Sequence, residues 1–317
     1  MREGRLKQIL VRGIRFSLDS LQRVPGVRYA NLALVQAGKA HSTVFSCTKA
    51  LDETPGCDFL KQDEAKSLWR DRYEEVRTFY RKSHLGMVLH FLRNGTPNTN
   101  YYRMQMMQPF EGRDLQGEGL KKAYQEAAFM YSLRLMLRYH GYGLGMAAEQ
   151  LLQELHGIAP QDIQVLDYGC GVADPSLYLA ARGARATIVD LDDIKFGFAR
   201  HRFQSRNLPV TGINATETDR PVPLKGPYQV IFLAEFLEHV RDPMAYLKHI
   251  LAHATPGAIV YDPLGPIHEH GVGGDHLQEA YDCMQRTGYQ DFHKARLIPL
   301  DSKLGSPLNR NFYEVSA

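Results

Sequence analysis

The sequence predicts an α/β fold: a mostly parallel seven-stranded sheet with helices on both faces, preceded by a helix-rich region. Three observations carry that expectation. Apolar residues recur at helical spacing up to about residue 155. After Pro160, short β-rich runs alternate with helical ones, the pattern of parallel strands joined by helical crossovers. The charge also changes sign: residues 1–160 carry 23 Lys and Arg against 16 Asp and Glu, whereas residues 161–317 carry 15 against 19. The expected division is therefore 1–155, a helical domain that covers a site or joins copies into a homodimer, and 156–317, the sheet domain.

In the first region, `MREGRLKQILVRGIRFSLDSLQRV` places Leu6, Ile9, Leu10, Ile14, Leu18 and Leu21 on one helical face. It reads as a helix docked on its own domain, because Gly13 and Asp19 weaken a membrane-surface helix. Residues 25–60 read as irregular. `DEAKSLWRDRYEEVRTFYRKS` and `LGMVLHFLRN` are helical, and `GTPNTN` breaks the run. `NYYRMQMMQPFEGRDLQGEG`, with its Tyr and Met residues beside Pro109 and glycines, suits either a lid over an apolar ligand or a buried connector. Two further helices, `LKKAYQEAAFMYSLRLMLRYHG` and `LGMAAEQLLQELHG`, lead to the boundary.

In the second region the spacing predicts strands at 163–167, 186–190, 209–213, 228–233, 258–262, 291–300 and 311–316. Helices are expected near 175–182, 192–206, 242–253 and 276–287. The last two strands have no helix between them, so they predict an antiparallel hairpin closing the sheet. Ligands of such a sheet sit beyond the carboxyl ends of its strands.

Composition excludes several classes. No apolar run approaches the roughly 18 residues that span a bilayer, and the N-terminus lacks the pattern of a secretory signal, so a cytoplasmic location is expected. The four cysteines, Cys47, Cys57, Cys170 and Cys283, show neither zinc-finger nor disulfide spacing. The basic residues of the first half are too dispersed for a nucleic-acid surface.

The chemistry is expected in `VLDYGCGVADPSLYLAARGARATIVDLD`. Asp167, Gly169 and Gly171 form D-x-G-x-G at the first strand-to-helix turn, where glycines admit a ligand close to the backbone. A dinucleotide site would place a third glycine where Asp174 stands, and that carboxylate would face the pyrophosphate. Asp167 instead suits a cationic ligand, and Asp190, ending the second strand, suits the hydroxyls of a ribose. A ribose with a positive charge and no phosphate cradle describes S-adenosylmethionine.

This stretch resembles motif I and the following acidic motif of class I S-adenosylmethionine-dependent methyltransferases, and `YQVIFLAEFLEHVRDPMAYLKHILAHATPGAIVYD` resembles their later motifs. The resemblance covers about residues 160–300 and implies a Rossmann-like sheet. It implies that Asp167, Gly169 and Gly171 line the methionine moiety, that Asp190 holds the ribose and Leu191 flanks the adenine. It also implies that Asn214 and Ala215 reach the adenine edge and that Glu235 faces the sulfonium end. Two departures stand out: Ala173 replaces a glycine, and Asn214 stands where an acidic residue is more usual.

Methyl transfer needs in-line alignment, and a hydroxyl acceptor also profits from a base. `YDPLGPIHEHGVGGDH` offers His268 and His270 as the expected base, with His276 returning toward them. A divalent metal held by two or three of these histidines is the less favoured alternative, and a polar loop capped by Asp275 is the bland one. The expected activity is methylation of a small or medium-sized molecule, acidic or aromatic in character. The rivals are a protein that binds the cofactor without turnover and, less favoured, a nicotinamide-dependent oxidoreductase.

Overall fold

The computed structural model describes residues 62–95, 97, 100–111, 117–138, 140–191, 193–215, 220–264, 276–300 and 311–316. The expected N-terminal helix near 6–21 lies outside the described residues, as do His268, His270 and Asp275. Among the described residues five helices come first: α1 (Gln62–Phe79), α2 (His84–Asn94), α3 (Asn100–Met107), α4 (Gly117–Arg138) and α5 (His140–His156). A helical turn at Gln108–Phe110 extends α3. The Tyr- and Met-rich stretch is thus a helix, with Tyr102, Met106 and Phe110 buried.

The sheet follows: β1 (Gln164–Tyr168), α6 (Asp174–Ala180), β2 (Arg185–Leu191), α7 (Ile194–Gln204), β3 (Val210–Ala215), β4 (Tyr228–Phe232), α8 (Pro243–Leu251), β5 (Ala254–Tyr261), α9 (Gln278–Met284), α10 (Thr287–Arg296), β6 (Leu297–Pro299) and β7 (Phe312–Val315). The strand order is β3-β2-β1-β4-β5-β7-β6. Neighbours from β3 to β5 are parallel, and β7 runs antiparallel between β5 and β6. This is the expected seven-stranded Rossmann-like sheet.

One expectation is corrected. Residues 291–300 are not a single strand: α10 runs to Arg296 and only Leu297–Pro299 is strand. Tyr289 and His293 are buried and Phe292 and Arg296 are half-buried, the i, i+3, i+4, i+7 spacing of one helical face. The helix near 276–287 is also shorter than expected, beginning at Gln278.

Alternation along each central strand divides the core in two. Leu166, Ile231 and Val260 pack with Tyr246, Leu247 and Ile250 of α8, and with Ala280 and Met284 of α9. Val165, Val230 and Ile259 face the other way, onto Leu144, Ala148, Leu151 and Leu152 of α5 and Leu179 of α6. The helical region is therefore not merely tethered to the sheet, because α5 forms part of the sheet's own core. Helices α1 to α4 build a further cluster, into which Val172 and Phe198 of the sheet region insert.

A buried ion network joins these layers. Asp174, at the first turn of α6, meets Arg72 of α1 at 2.8 Å and Arg202 of α7 at 2.8 Å. Arg202 also reaches Glu75 of α1 at 3.1 Å. All four side chains are at most 8% exposed. Breaking such a set by removing one member typically costs about 3–5 kcal/mol, because an uncompensated buried charge is left behind.

Candidate functional site

The parallel strands β1, β2 and β4 end together, and the turns that follow them open onto one cavity of about 580 Å³. Asp167, at the end of β1, is buried, and its carboxylate accepts a hydrogen bond from the Ser176 hydroxyl at 2.6 Å. Burial pushes its pKa up to about 7, the Ser176 bond opposing that rise and the neighbouring Asp190 adding to it. An ionised Asp167 is therefore poorly tolerated until a cation comes near it.

The turn after β1 is fixed from β2. The Gly169 and Cys170 amides both donate to the Val189 carbonyl, at 2.8 and 3.0 Å. Gly169 has φ +71°, and a Cβ there would lie 2.5 Å from the Phe236 ring, so only glycine fits. The Asp190 carboxylate accepts from the Gly171 amide at 2.7 Å and from the Leu191 amide at 2.8 Å. The residue expected to hold a ribose thus also ties the glycine turn to β2. Ala173 adopts the left-handed region at φ +56°, a conformation a glycine would accept without strain.

Lys195 of α7 approaches Asp190 at 3.8 Å. Burial disfavours its ammonium, but Asp190 and Asp193 outweigh that and raise its pKa overall. Burial pushes the Cys170 thiol well above its ordinary value, which suits a packing residue rather than a nucleophile.

Beyond β4, Glu235 stands at φ +54° on the rim of the cavity, followed by Phe236 and a helical turn at Leu237–His239. The opposite wall comes from the helical region: Arg103, Met106 and Met107 of α3, and Tyr124, Tyr131, Arg134 and Leu135 of α4. Tyr124 bridges the two walls through a 3.1 Å hydrogen bond between its hydroxyl and His239 Nδ1. His276, just before α9, also lines the cavity.

Of the residues expected from sequence, Asp167, Gly169, Gly171, Asp190, Leu191, Ala215 and Glu235 share this cavity. Asn214 pairs with Asp190 in the β2–β3 register but is exposed and is not part of the cavity wall. His239 also lines the cavity; in the sequence its one signal is `LEHV`, which by itself assigns it no role. Asp174 was expected to repel a pyrophosphate as a bare carboxylate, yet its two arginine partners offset that charge. The case against a dinucleotide therefore rests on other grounds.

Those grounds are the comparisons. Residues 142–264 match the family model described as a methyltransferase domain. This segment is a class I S-adenosylmethionine-dependent methyltransferase domain. The methyltransferase domain begins inside α5, the helix that packs on the sheet. Among curated relatives, the ubiquinone biosynthesis O-methyltransferase of Vibrio parahaemolyticus is 32% identical over 98 residues, 31% of this chain and 42% of that protein. Its counterpart in Bordetella bronchiseptica is 35% identical over 105 residues, 31% of this chain and 41% of that one. The chain thus spans about two fifths of the length of these relatives.

Among solved structures, a magnesium protoporphyrin IX methyltransferase from Synechocystis PCC 6803 is 18% identical with a TM-score of 0.36, over 45% of this chain and 71% of that one. A methyltransferase from Aquifex aeolicus is 16% identical with a TM-score of 0.35, over 53% and 87%. Among the described residues, no helix is long and apolar enough to cross a membrane.

Proposed function

We propose that the chain transfers the methyl group of S-adenosylmethionine to an oxygen atom of a small acceptor that carries an aromatic ring or an acidic group. The observation that carries this reading is the single cavity in which the cofactor turn faces an aromatic and cationic wall, formed by Tyr124, Tyr131, Arg103, Arg134 and Lys195. A cavity of this volume falls in the range of small-molecule sites, and guanidinium groups beside aromatic rings suit an anionic or aromatic ligand. The relatives' O-methyltransferase activity directs the reading toward oxygen.

In the proposed mechanism Asp190 takes the ribose hydroxyls, Leu191 and Ala215 flank the adenine, and Asp167 faces the ammonium of the methionine part. Glu235 faces the sulfonium end. Helices α3 and α4, which wall the cavity opposite the cofactor turn, would exclude water and hold the acceptor, the alignment from which most of the acceleration of a methyl transfer arises. His268 or His270 receives the acceptor's proton. In support, the segment that carries them leaves from Tyr261 and returns at His276, and both of these residues line the cavity.

The test is release of S-adenosylhomocysteine, with product mass, from a panel of phenols and benzoates carrying or lacking a free hydroxyl. Turnover of hydroxylated members alone is expected. Tight S-adenosylhomocysteine binding with no turnover of any member would instead mark a protein that binds the cofactor without using it.

A further inference from the structure

We propose that Glu238, His239 and His276 form a binding site for a divalent transition-metal ion at the acceptor end of the cavity. One potential ligand atom from each lies within 4.8 Å of the other two. Glu238 is 1% exposed, and its two imidazole neighbours are half-buried, so the donors converge away from bulk water. The three come from two segments remote in sequence, and these are pinned together: the Leu277 amide donates to the Glu238 carbonyl at 2.9 Å.

The surroundings of the two rings add an independent argument. Metal-binding histidines characteristically have their second ring nitrogen held by an outer hydrogen-bond partner, which fixes the ring's orientation. Each histidine has one ring nitrogen held in this way, which leaves Nε2 as its metal-binding atom in the proposed site. His239 Nδ1 is hydrogen-bonded to the Tyr124 hydroxyl at 3.1 Å, and His276 Nδ1 to the Tyr281 hydroxyl at 2.9 Å. The rings stand edge to face with centroids 5.1 Å apart.

Two imidazoles with one carboxylate suit zinc and its first-row neighbours, whereas magnesium and calcium prefer oxygen donors alone. Three protein ligands also leave a coordination position open. His239 and His276 line the same cavity as Asp167 and Asp190, so an ion held by them would border the space assigned to the acceptor. There an ion would polarise an acceptor hydroxyl and favour its ionised form. Only this catalytic use rests on the methyltransferase reading; the binding site does not.

The experiment uses the full chain, stripped of metal with a chelator and desalted. It is titrated calorimetrically with Zn²⁺ and with S-adenosylhomocysteine, and with Co²⁺ followed by visible absorption. One equivalent of Zn²⁺ should bind, and Co²⁺ should develop ligand-field bands. His239→Gln and His276→Gln should each weaken Zn²⁺ by at least about 100-fold, and Tyr281→Phe by roughly ten- to a hundredfold. Retained S-adenosylhomocysteine binding shows that each variant is folded. The proposal is overturned if Zn²⁺ does not bind stoichiometrically to protein that binds S-adenosylhomocysteine, or if it binds with an affinity both histidine variants leave unchanged. Zn²⁺ binding that the variants abolish, without any S-adenosylhomocysteine binding, would uphold the metal site and sink the methyltransferase reading.

Discussion

Asp167 turns the charge of the cofactor into a pH dependence. Its folded pKa of about 7 lies above the ~3.9 of an unfolded aspartate, so the folded protein holds the proton more tightly. Its contribution to stability is therefore fully present below pH ~4 and is lost as the pH rises through about 7. Asp167→Asn should abolish that part of the slope, which chemical denaturation from about pH 4.5 to about 8 would read as a difference between variant and parent. A cation bound beside the carboxylate reverses the preference, so S-adenosylmethionine binding near neutral pH should release a proton. Titration calorimetry in buffers of different ionisation enthalpy would count it, and uptake or no exchange would contradict an ionised Asp167 in the complex. Asp190 makes a second prediction at this scale. Its carboxylate accepts from both the Gly171 and Leu191 amides, so Asp190→Ala should weaken S-adenosylhomocysteine by about 1–3 kcal/mol and also lower the melting temperature. Unchanged affinity with lowered stability would leave it only the structural role.

Between elements, α5 approaches α6 closely at Gly145. A Cβ at Gly145 would lie 2.7 Å from Tyr178 Cβ and 2.9 Å from the Pro175 carbonyl, neither of which can swing aside. Gly145→Ala should therefore push the helices apart and cost about 1–3 kcal/mol, measurable by urea unfolding. A neutral result would mean that α5 lies farther from α6. Such contacts explain what was legible. Strands β1, β2 and β5 are legible because their apolar runs end at Asp167, Asp190 and Asp262, and the cofactor turn because its glycines answer to backbone geometry. Residues 291–300 look like one strand in the sequence because His293, buried against Asp262 at 3.2 Å, counts as polar in a pattern yet occupies the apolar face of α10. His239 and His276 were not paired, since nothing in their local spacing shows that Leu277 bonds to Glu238 and brings them into contact. Local periodicity encodes elements, whereas a convergent site is created only when distant turns meet.

At the scale of the whole molecule, the helical region and the sheet share one core although their sequence textures differ. The change of texture at Pro160 suggests a boundary near 155, yet Leu144, Leu151 and Leu152 of α5 are at most 2% exposed and pack on Val165, Val230 and Ile259 of the sheet. Fully burying a leucine contributes roughly 1.5–3 kcal/mol, so these three alone approach the entire net stability of an ordinary domain, about 5–15 kcal/mol. A fragment of residues 156–317 would expose that sheet face and leave Asp174 and Arg202 without Arg72 and Glu75. It should therefore fail to unfold cooperatively and should not bind S-adenosylhomocysteine, as circular dichroism melting and calorimetry would show. A fragment that melted sharply and bound the ligand with the affinity of the full chain would make the helices a separable cover. The cavity predicts the opposite, because Tyr124 of α4 is hydrogen-bonded to His239 beside β4, and one wall cannot be removed without opening the other to water.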